Sequence, residues 1–335
     1  MACQEDNKKI IVILGPTASG KSELAVKIAK YISKNWSRIF NKNSSSGENN
    51  YKGILAEIIS ADSRQVYKGM DLGTGKVPRD KKNKTKKNPN VYFYRGVPHH
   101  LIDIVSPKQQ FNVANYVKRA QKVIKKLFKE NKIPIICGGS AFYIKALVDG
   151  LNIPNVKPDY KLRKELEKRS TEELFKMLKK LDPQRAKTID KNNKRRLIRA
   201  IEIVTKTKEK VPELKFSPLP HPVLFLGIKI DKNTLKERIR KRLLKRLKAG
   251  MVKEVENLKK SGLSWKKIES FGLEYKWIAY YLQGKINYQE MIEKLQKDIE
   301  HFAKKQMTWW KKDKRIHWIQ NFKEAQKLIE DFLKN

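Results

Sequence analysis

The chain has 335 residues, enough for one large domain or two modest ones, with 39% apolar and 33% charged residues, so a core must form beneath a very polar surface. The 76 Lys and Arg against 35 Asp and Glu leave a formal net charge of +41, which favours a polyanionic partner, although a Lys- and Asn-rich composition accounts for part of the excess. Two cysteines, Cys3 and Cys137, exclude a disulfide framework or a cysteine zinc site, the N-terminal MACQEDNKK lacks a signal-type apolar region, and no apolar run approaches a membrane span. A soluble, reduced, cytoplasmic protein is expected.

In chain order, Ile10 to Leu14 reads as a buried strand and Glu23 to Tyr31 as an amphipathic helix. Between them lies Gly15-Pro16-Thr17-Ala18-Ser19-Gly20-Lys21-Ser22, a phosphate-binding loop of the form GxxxxGK[ST] in the strand–loop–helix context the motif needs. Its backbone N–H groups and helix N-terminus suit a diphosphate or triphosphate, Lys21 adds a point charge, and the Ser22 hydroxyl suits a magnesium ion. Asn35 to Gly53 is polar and Asn/Ser-rich and reads as a surface excursion. Ala56 to Ser60 is the next strand, followed by Ala61-Asp62-Ser63-Arg64-Gln65-Val66-Tyr67. Asp80 to Asn90 is a basic low-complexity loop, another excursion, and Ile133 to Cys137 is a third strand. From Pro154 to about Leu219 strand signals give way to helical patterns over Tyr160 to Arg169, Glu172 to Leu181 and Arg195 to Lys206, punctuated by prolines. Val223 to Ile230 is a further strand, and helices follow over Asn233 to Gly250, Val252 to Lys260, Tyr275 to Leu282 and Tyr288 to Trp310. The alternation predicts an α/β fold, a parallel sheet flanked by helices, interrupted by a helical insertion. The expected division is an α/β core over residues 1–152, the insertion over 153–219, and the rest of the core with C-terminal helices over 220–335.

The blocks ISADSRQVYKGMDLGTGK (Ile59 to Lys76), PHHLIDIVSP, PIICGGSAFYIKALVDGL, RRLIRAIEI, FGLEYK and AKKQMTWWK occur in one order along the chain. With the phosphate loop and the Asp231 to Gly250 helix, the chain resembles the tRNA dimethylallyltransferases, also called tRNA isopentenyltransferases, over roughly residues 9–320. The cysteine count leaves out the zinc finger that eukaryotic members often carry, so the resemblance is to the bacterial type. It implies a P-loop NTPase-like core, an insertion that grips the anticodon stem-loop, and a monomer. The implied reaction moves a dimethylallyl group from dimethylallyl diphosphate to N6 of the adenosine at tRNA position 37, 3′ of the anticodon, releasing diphosphate with magnesium present. The loop then holds a prenyl diphosphate in place of ATP.

On this reading Asp62 is the base for the N6 proton, with magnesium ligation or turn capping as its alternatives. Thr17 lies near the reacting groups. Helix Asn233 to Gly250 carries Leu235, Ile239, Leu243 and Leu247 on one stripe and Arg238, Arg242 and Arg246 beside it. Arg238 and Arg242 match the family pattern, Arg242 is assigned to the diphosphate, and Arg246 is expected on solvated helix surface. Asp62, Ser63, Arg64 and Gln65 align with residues that touch RNA. Arg195, Arg196 and Arg199, and Lys304, Lys305 and Gln306, align with two further RNA-contact blocks. Phe142 and Tyr143 either line a base channel or belong to the core, because a base acted on by an enzyme must leave its stack. Ser140 stands where family members commonly have threonine. His99 and His100 are read as loop structure. Two other classes share the phosphate loop: a nucleotide or small-molecule kinase with Asp103 at a second magnesium site, and a slowly hydrolysing RNA-binding switch. Neither accounts for ISADSRQVY or AKKQMTWW.

Overall fold

The structure, a computed structural model, describes residues 8–40, 55–80, 91–213 and 215–335. They form two compact units, Met1–Val148 with Leu219–Asn335, and Asp149–Pro218.

The first unit is built on a seven-stranded sheet of β1 (Ile10–Leu14), β2 (Ala56–Ser60), β3 (Tyr92–Tyr94), β4 (Val97–His100), β5 (Ile133–Cys137), β6 (Val223–Ile228) and β7 (Ile316–Ile319). The order is β3-β4-β2-β5-β1-β6-β7, parallel throughout except for the β3–β4 pair at one edge. It is the expected P-loop NTPase-like sheet with an antiparallel edge strand. Its helices are α1 (Lys21–Lys34), α2 (Trp36–Phe40), α3 (Val113–Lys129) and α4 (Ala141–Val148). The second unit contributes α5 (Tyr160–Leu166), α6 (Thr171–Leu181), α7 (Pro183–Thr188) and α8 (Lys194–Thr207). The first resumes with α9 (Lys232–Lys248), α10 (Met251–Lys260), α11 (Trp265–Glu269), α12 (Leu273–Leu282), α13 (Tyr288–Trp310) and α14 (Phe322–Lys334).

β1, β2 and β5 are buried along their whole length, which is why they read as unbroken apolar runs. The period of two divides β1 between two cores. Ile11 and Ile13 pack with Ile28 and Ile32 of α1 and Ile329 of α14. Ile10, Val12 and Leu14 pack with Tyr116 and Ile124 of α3, Leu147 of α4 and Trp310. A third core joins α9 to α13 and includes Val66, Tyr67 and Met70 from the segment after β2.

In the second unit Leu166, Leu174, Leu178, Leu197 and Ile201 form a small core, closed by a bridge between Leu151 and Phe216. Ser170 and Glu173 make a capping box at α6, and the Asp182 side chain caps α7, where Pro183 occupies the first turn. Glu202 is fully buried between Arg163 and Arg199.

Several details differ from the sequence reading. The excursion after α1 begins as helix: α2 buries Trp36 and Ile39, and the rest of it, residues 41–53, lies outside the described residues. Asp80 is anchored, since its carboxylate accepts the Arg95 and Gly96 N–H groups at 2.9 and 2.7 Å, while 81–90 lie outside the described residues. His99 and His100 sit in β4, where His100 Nε2 pairs with Glu57 Oε2 at 2.6 Å. Val-Pro-His-His pairs through its backbone despite weak strand propensity. Among the described residues, no helix is long and apolar enough to cross a membrane.

Candidate active site

Ile13 and Ser60 are both level with Cys137 in the sheet register, so β1, β2 and β5 end together. That places the phosphate loop, Asp62 and Gly138-Gly139 along one carboxyl edge, where α/β sheets bind ligands. The Ala61 N–H donates to Cys137 O at 2.8 Å and the Gly138 N–H to Ile13 O at 3.2 Å, tying the three strand exits together.

Within the loop the Ser19 N–H donates to Pro16 O at 3.2 Å and Lys21 Nζ to the same carbonyl at 2.6 Å. Burial pushes the Lys21 ammonium down to about 8, and Arg242 adds to the effect. Gln306 bridges two exits: its Oε1 accepts the Thr17 N–H at 2.8 Å and its Nε2 donates to Gly139 O at 2.8 Å. It is buried at the base of the site. The expectation of an RNA-facing Gln306 is therefore corrected, because both ends of its amide are used inside the protein.

Asp62 Oδ1 accepts the N–H groups of Arg64 at 2.8 Å and Gln65 at 3.2 Å, so turn capping is realised on one oxygen. Those bonds aim the carboxylate, and Oδ2 accepts no hydrogen bond from the described residues. The Ser63 N–H donates to Ser140 Oγ at 3.2 Å. Arg64 lies 5.7 Å from the Phe271 ring centroid, in cation–π range. The Gln65 amide is occupied by Ser60 Oγ at 3.2 Å and by the Thr74 and Gly75 carbonyls at 3.4 Å.

On α9, Ile239, Leu243 and Leu247 face the core as their spacing requires. Arg238 donates to Ser19 O at 3.5 Å, at the limit of hydrogen bonding. Burial lowers the Arg242 guanidinium to about 10. Arg246 also turns inward: its side chain is only 12% exposed and its Nη1 meets Glu274 Oε1 at 3.3 Å. This corrects the expectation of a solvated Arg246. The α9 sequence is basic on nearly every face, so periodicity alone does not tell which cations point in. Burial lowers Arg246 and raises the Glu274 carboxyl.

Two cavities meet here. One, of about 440 Å³, runs along Lys21, Ser22, Gly75, Arg246 and Gln306. The other, of about 260 Å³, is bounded by Ser63, Arg64, Phe271, Glu274 and Tyr275. Thr17, Asp62, Arg242 and Phe302 line both. Among the described residues no cluster of three or more His, Cys, Asp or Glu side chains would hold a metal. The oxygen donors on the first cavity include the Ser22 hydroxyl and the Asp62 and Asp71 carboxylates. That sparse hard set fits magnesium, which keeps several waters and shares its coordination with substrate phosphates.

The wall between α9 and the sheet is the loop after Tyr67, and sequence reasoning missed what holds it. Glu254 of α10 accepts the N–H groups of Asp71, Leu72 and Gly73 at 2.7, 2.6 and 3.0 Å, and the Tyr275 hydroxyl at 2.8 Å. Gly73 yields to the Tyr275 ring, which an added Cβ would meet at 2.6 Å. Gly75, at φ +64°, yields to the Arg246 guanidinium. Lys76 is buried on Tyr67 O at 2.6 Å, on Asp71 at 2.7 Å, and on Asp103. Asp103 thus anchors this loop and is absent from the lining of both cavities, which removes the kinase reading's second magnesium site.

The aromatic pair after Gly139 splits. Tyr143 is core, stacked on Tyr116 at 4.5 Å, and Phe142 is exposed; neither lines the two cavities. Arg195 and Arg196 are exposed on α8, as are Lys304 and Lys305 on α13. Arg199, half-buried on the same helix, is engaged by Glu202 and by Val156 O at 3.0 Å.

The family model described as IPP transferase matches residues 65–313. The chain belongs to the IPP transferase family. It is 37% identical over 332 residues to a tRNA dimethylallyltransferase of Acetivibrio thermocellus, covering 96% of this chain and 95% of that one. Among solved structures it is similar to the full-length tRNA isopentenylpyrophosphate transferase of Bacillus halodurans, with TM-score 0.63 and 29% identity over 97% of this chain and 95% of that one. A eukaryotic dimethylallyltransferase acting on tRNA shares the fold at TM-score 0.72 and 24% identity, over 98% of this chain and 80% of that one. The Acetivibrio and Bacillus relatives match almost end to end, so the likeness spans both units and extends well beyond the phosphate loop.

Proposed function

We propose that the chain is a tRNA dimethylallyltransferase that uses dimethylallyl diphosphate to alkylate N6 of the adenosine 3′ of the anticodon. Beyond family membership, one observation carries the reading: two cavities, one on the phosphate loop and one beyond Asp62, share Thr17, Asp62 and Arg242. A reaction between an anionic donor and a base needs that junction.

The donor's diphosphate lies on the loop, held by backbone N–H groups, Lys21 and Arg242. The prenyl carbon points toward Asp62. The acceptor adenine, drawn out of its stack, enters past Arg64 and Phe271. The bond between C1 of the prenyl group and the diphosphate oxygen breaks as the bond from C1 to N6 forms. The N6 proton passes to Asp62 Oδ2, and diphosphate leaves with the electron pair. Desolvated cations stabilise the charge that develops on it. Magnesium, held by the Ser22 hydroxyl and the donor's own oxygens, would supply further neutralisation. Arg195, Arg196, Lys304 and Lys305 contribute phosphate contacts to the tRNA.

The test is incubation of the protein with labelled dimethylallyl diphosphate, magnesium and unmodified tRNA. Label in the RNA at the adenosine 3′ of the anticodon is expected. ATP turnover without label in RNA overturns the reading.

A further inference from the structure

We infer that Arg246 is a second guanidinium ligand of the donor's diphosphate, stored on Glu274 until the donor binds. The inference rests on the transferase reading above. Arg246 follows Arg242 by one helical turn on α9, and the two guanidiniums lie together against Gly75. A Cβ added there would collide with Arg246 Nη2 and stand 2.8 Å from Arg242 Nη2. Two desolvated like charges side by side are costly unless something negative lies across them.

Inside the protein that role falls to Glu274, and it is filled poorly. The contact is a single one, Nη1 to Oε1 at 3.3 Å. The second unit holds a much tighter ion pair: Arg163 grips Glu202 through Nε at 2.7 Å and Nη2 at 2.6 Å, a two-pronged fork. Arg242 has no acceptor within hydrogen-bonding distance among the described residues. Arg246 lines the phosphate-loop cavity and Glu274 the other, so the guanidinium is already on the donor's side of its own partner. An anion with several oxygens, opposite Lys21, completes both forks at once.

Three variants test this, Arg246→Gln, Arg246→Gln with Glu274→Gln, and Arg246→Lys, read by binding of dimethylallyl diphosphate with magnesium and by KM for each substrate. The double variant removes both members of the Arg246–Glu274 pair together, so it carries the test if the single one folds badly. Donor affinity is expected to fall about ten- to a hundredfold in both glutamine variants, the range for losing charged hydrogen bonds. The tRNA KM should stay within about threefold, and Arg246→Lys should recover part of the loss, as a point charge without the fork. Wild-type donor affinity in the double variant overturns the inference, because Arg246 would then serve only to neutralise Glu274. The transferase reading fails separately, if the unaltered protein puts no label into tRNA.

Discussion

At the carboxyl edge of the sheet Lys21, Arg242 and Arg246 share a cleft with Asp62 and Glu274, while Arg195, Arg196, Lys304 and Lys305 stand on exposed helix faces. The residue types are the same and the physics differs. Two unit charges 4 Å apart interact by about 1 kcal/mol in water and about 4 kcal/mol near a protein surface. In the cleft each cation is partly stripped of water, and under the proposed function it acts on the diphosphate of one donor. On the helix faces a cation acts by displacing counterions from a polyanion, and salt screens it. Under the proposed function the +41 formal charge is divided between two separate tasks, and sequence counts do not show the division.

The comparison breaks first at Asp62. Asp62→Asn keeps the Oδ1 turn and removes the proton acceptor, so kcat should fall by about 10²–10⁴ in single-turnover assays while tRNA binding changes little. A near-normal kcat would leave Asp62 with its turn-capping role alone. Lys21→Ala should cost about 10²–10³ in kcat/KM through the donor and leave the fold intact by circular dichroism. An unchanged rate would remove the loop as the diphosphate site.

The pH dependence sharpens the contrast. Because burial holds the Lys21 ammonium at about 8, it is charged below that pH and neutral above it. Affinity for the anionic donor should be flat below pH 8 and fall as pH rises through it, approaching about tenfold per unit. Lys21→Arg should move the decline to higher pH. A profile in the unaltered protein that stays flat to pH 9.5 would mean that Lys21 keeps its charge in the free site or does not contact the donor.

Gln306→Ala removes the latch between Thr17 and Gly139. The expected loss is about 1–3 kcal/mol of stability, seen as a lower melting temperature, with a higher donor KM. An effect on tRNA affinity alone would return Gln306 to the RNA-facing group. The smallest effect belongs to the exposed faces. Arg195→Ala with Lys305→Ala should weaken tRNA binding and reduce the slope of log K against log salt by somewhat under about two units. Donor binding should be untouched. Lys125→Ala on α3 is the control, since Lys82 and Lys84 lie outside the described residues. An equal flattening by Lys125→Ala would mean that the surface charge acts diffusely.

Some of this protein was decided by order along the chain. The phosphate loop is a contiguous motif after a buried strand, and Asp62 follows the next buried strand, so both could be read from local spacing. The four apolar runs became strands β1, β2, β5 and β6 because burial on both faces leaves an unbroken apolar signal. β4 and β7 carried too little of that signal to be read. Helix α3 was legible in principle, since Tyr116, Ala120, Ile124 and Leu127 recur at helical spacing.

The tertiary structure decided the rest, because it depended on residues far apart in sequence. Arg246 turns inward because Gly75 leaves room for it and Glu274 meets it. Gln306 faces the phosphate loop from almost the other end of the chain. Glu254 organises three amides of a loop on a different element. A charge run states how many cations a helix carries. Only the packing against it determines which of them lose their water, and with that which can act on a single phosphate oxygen.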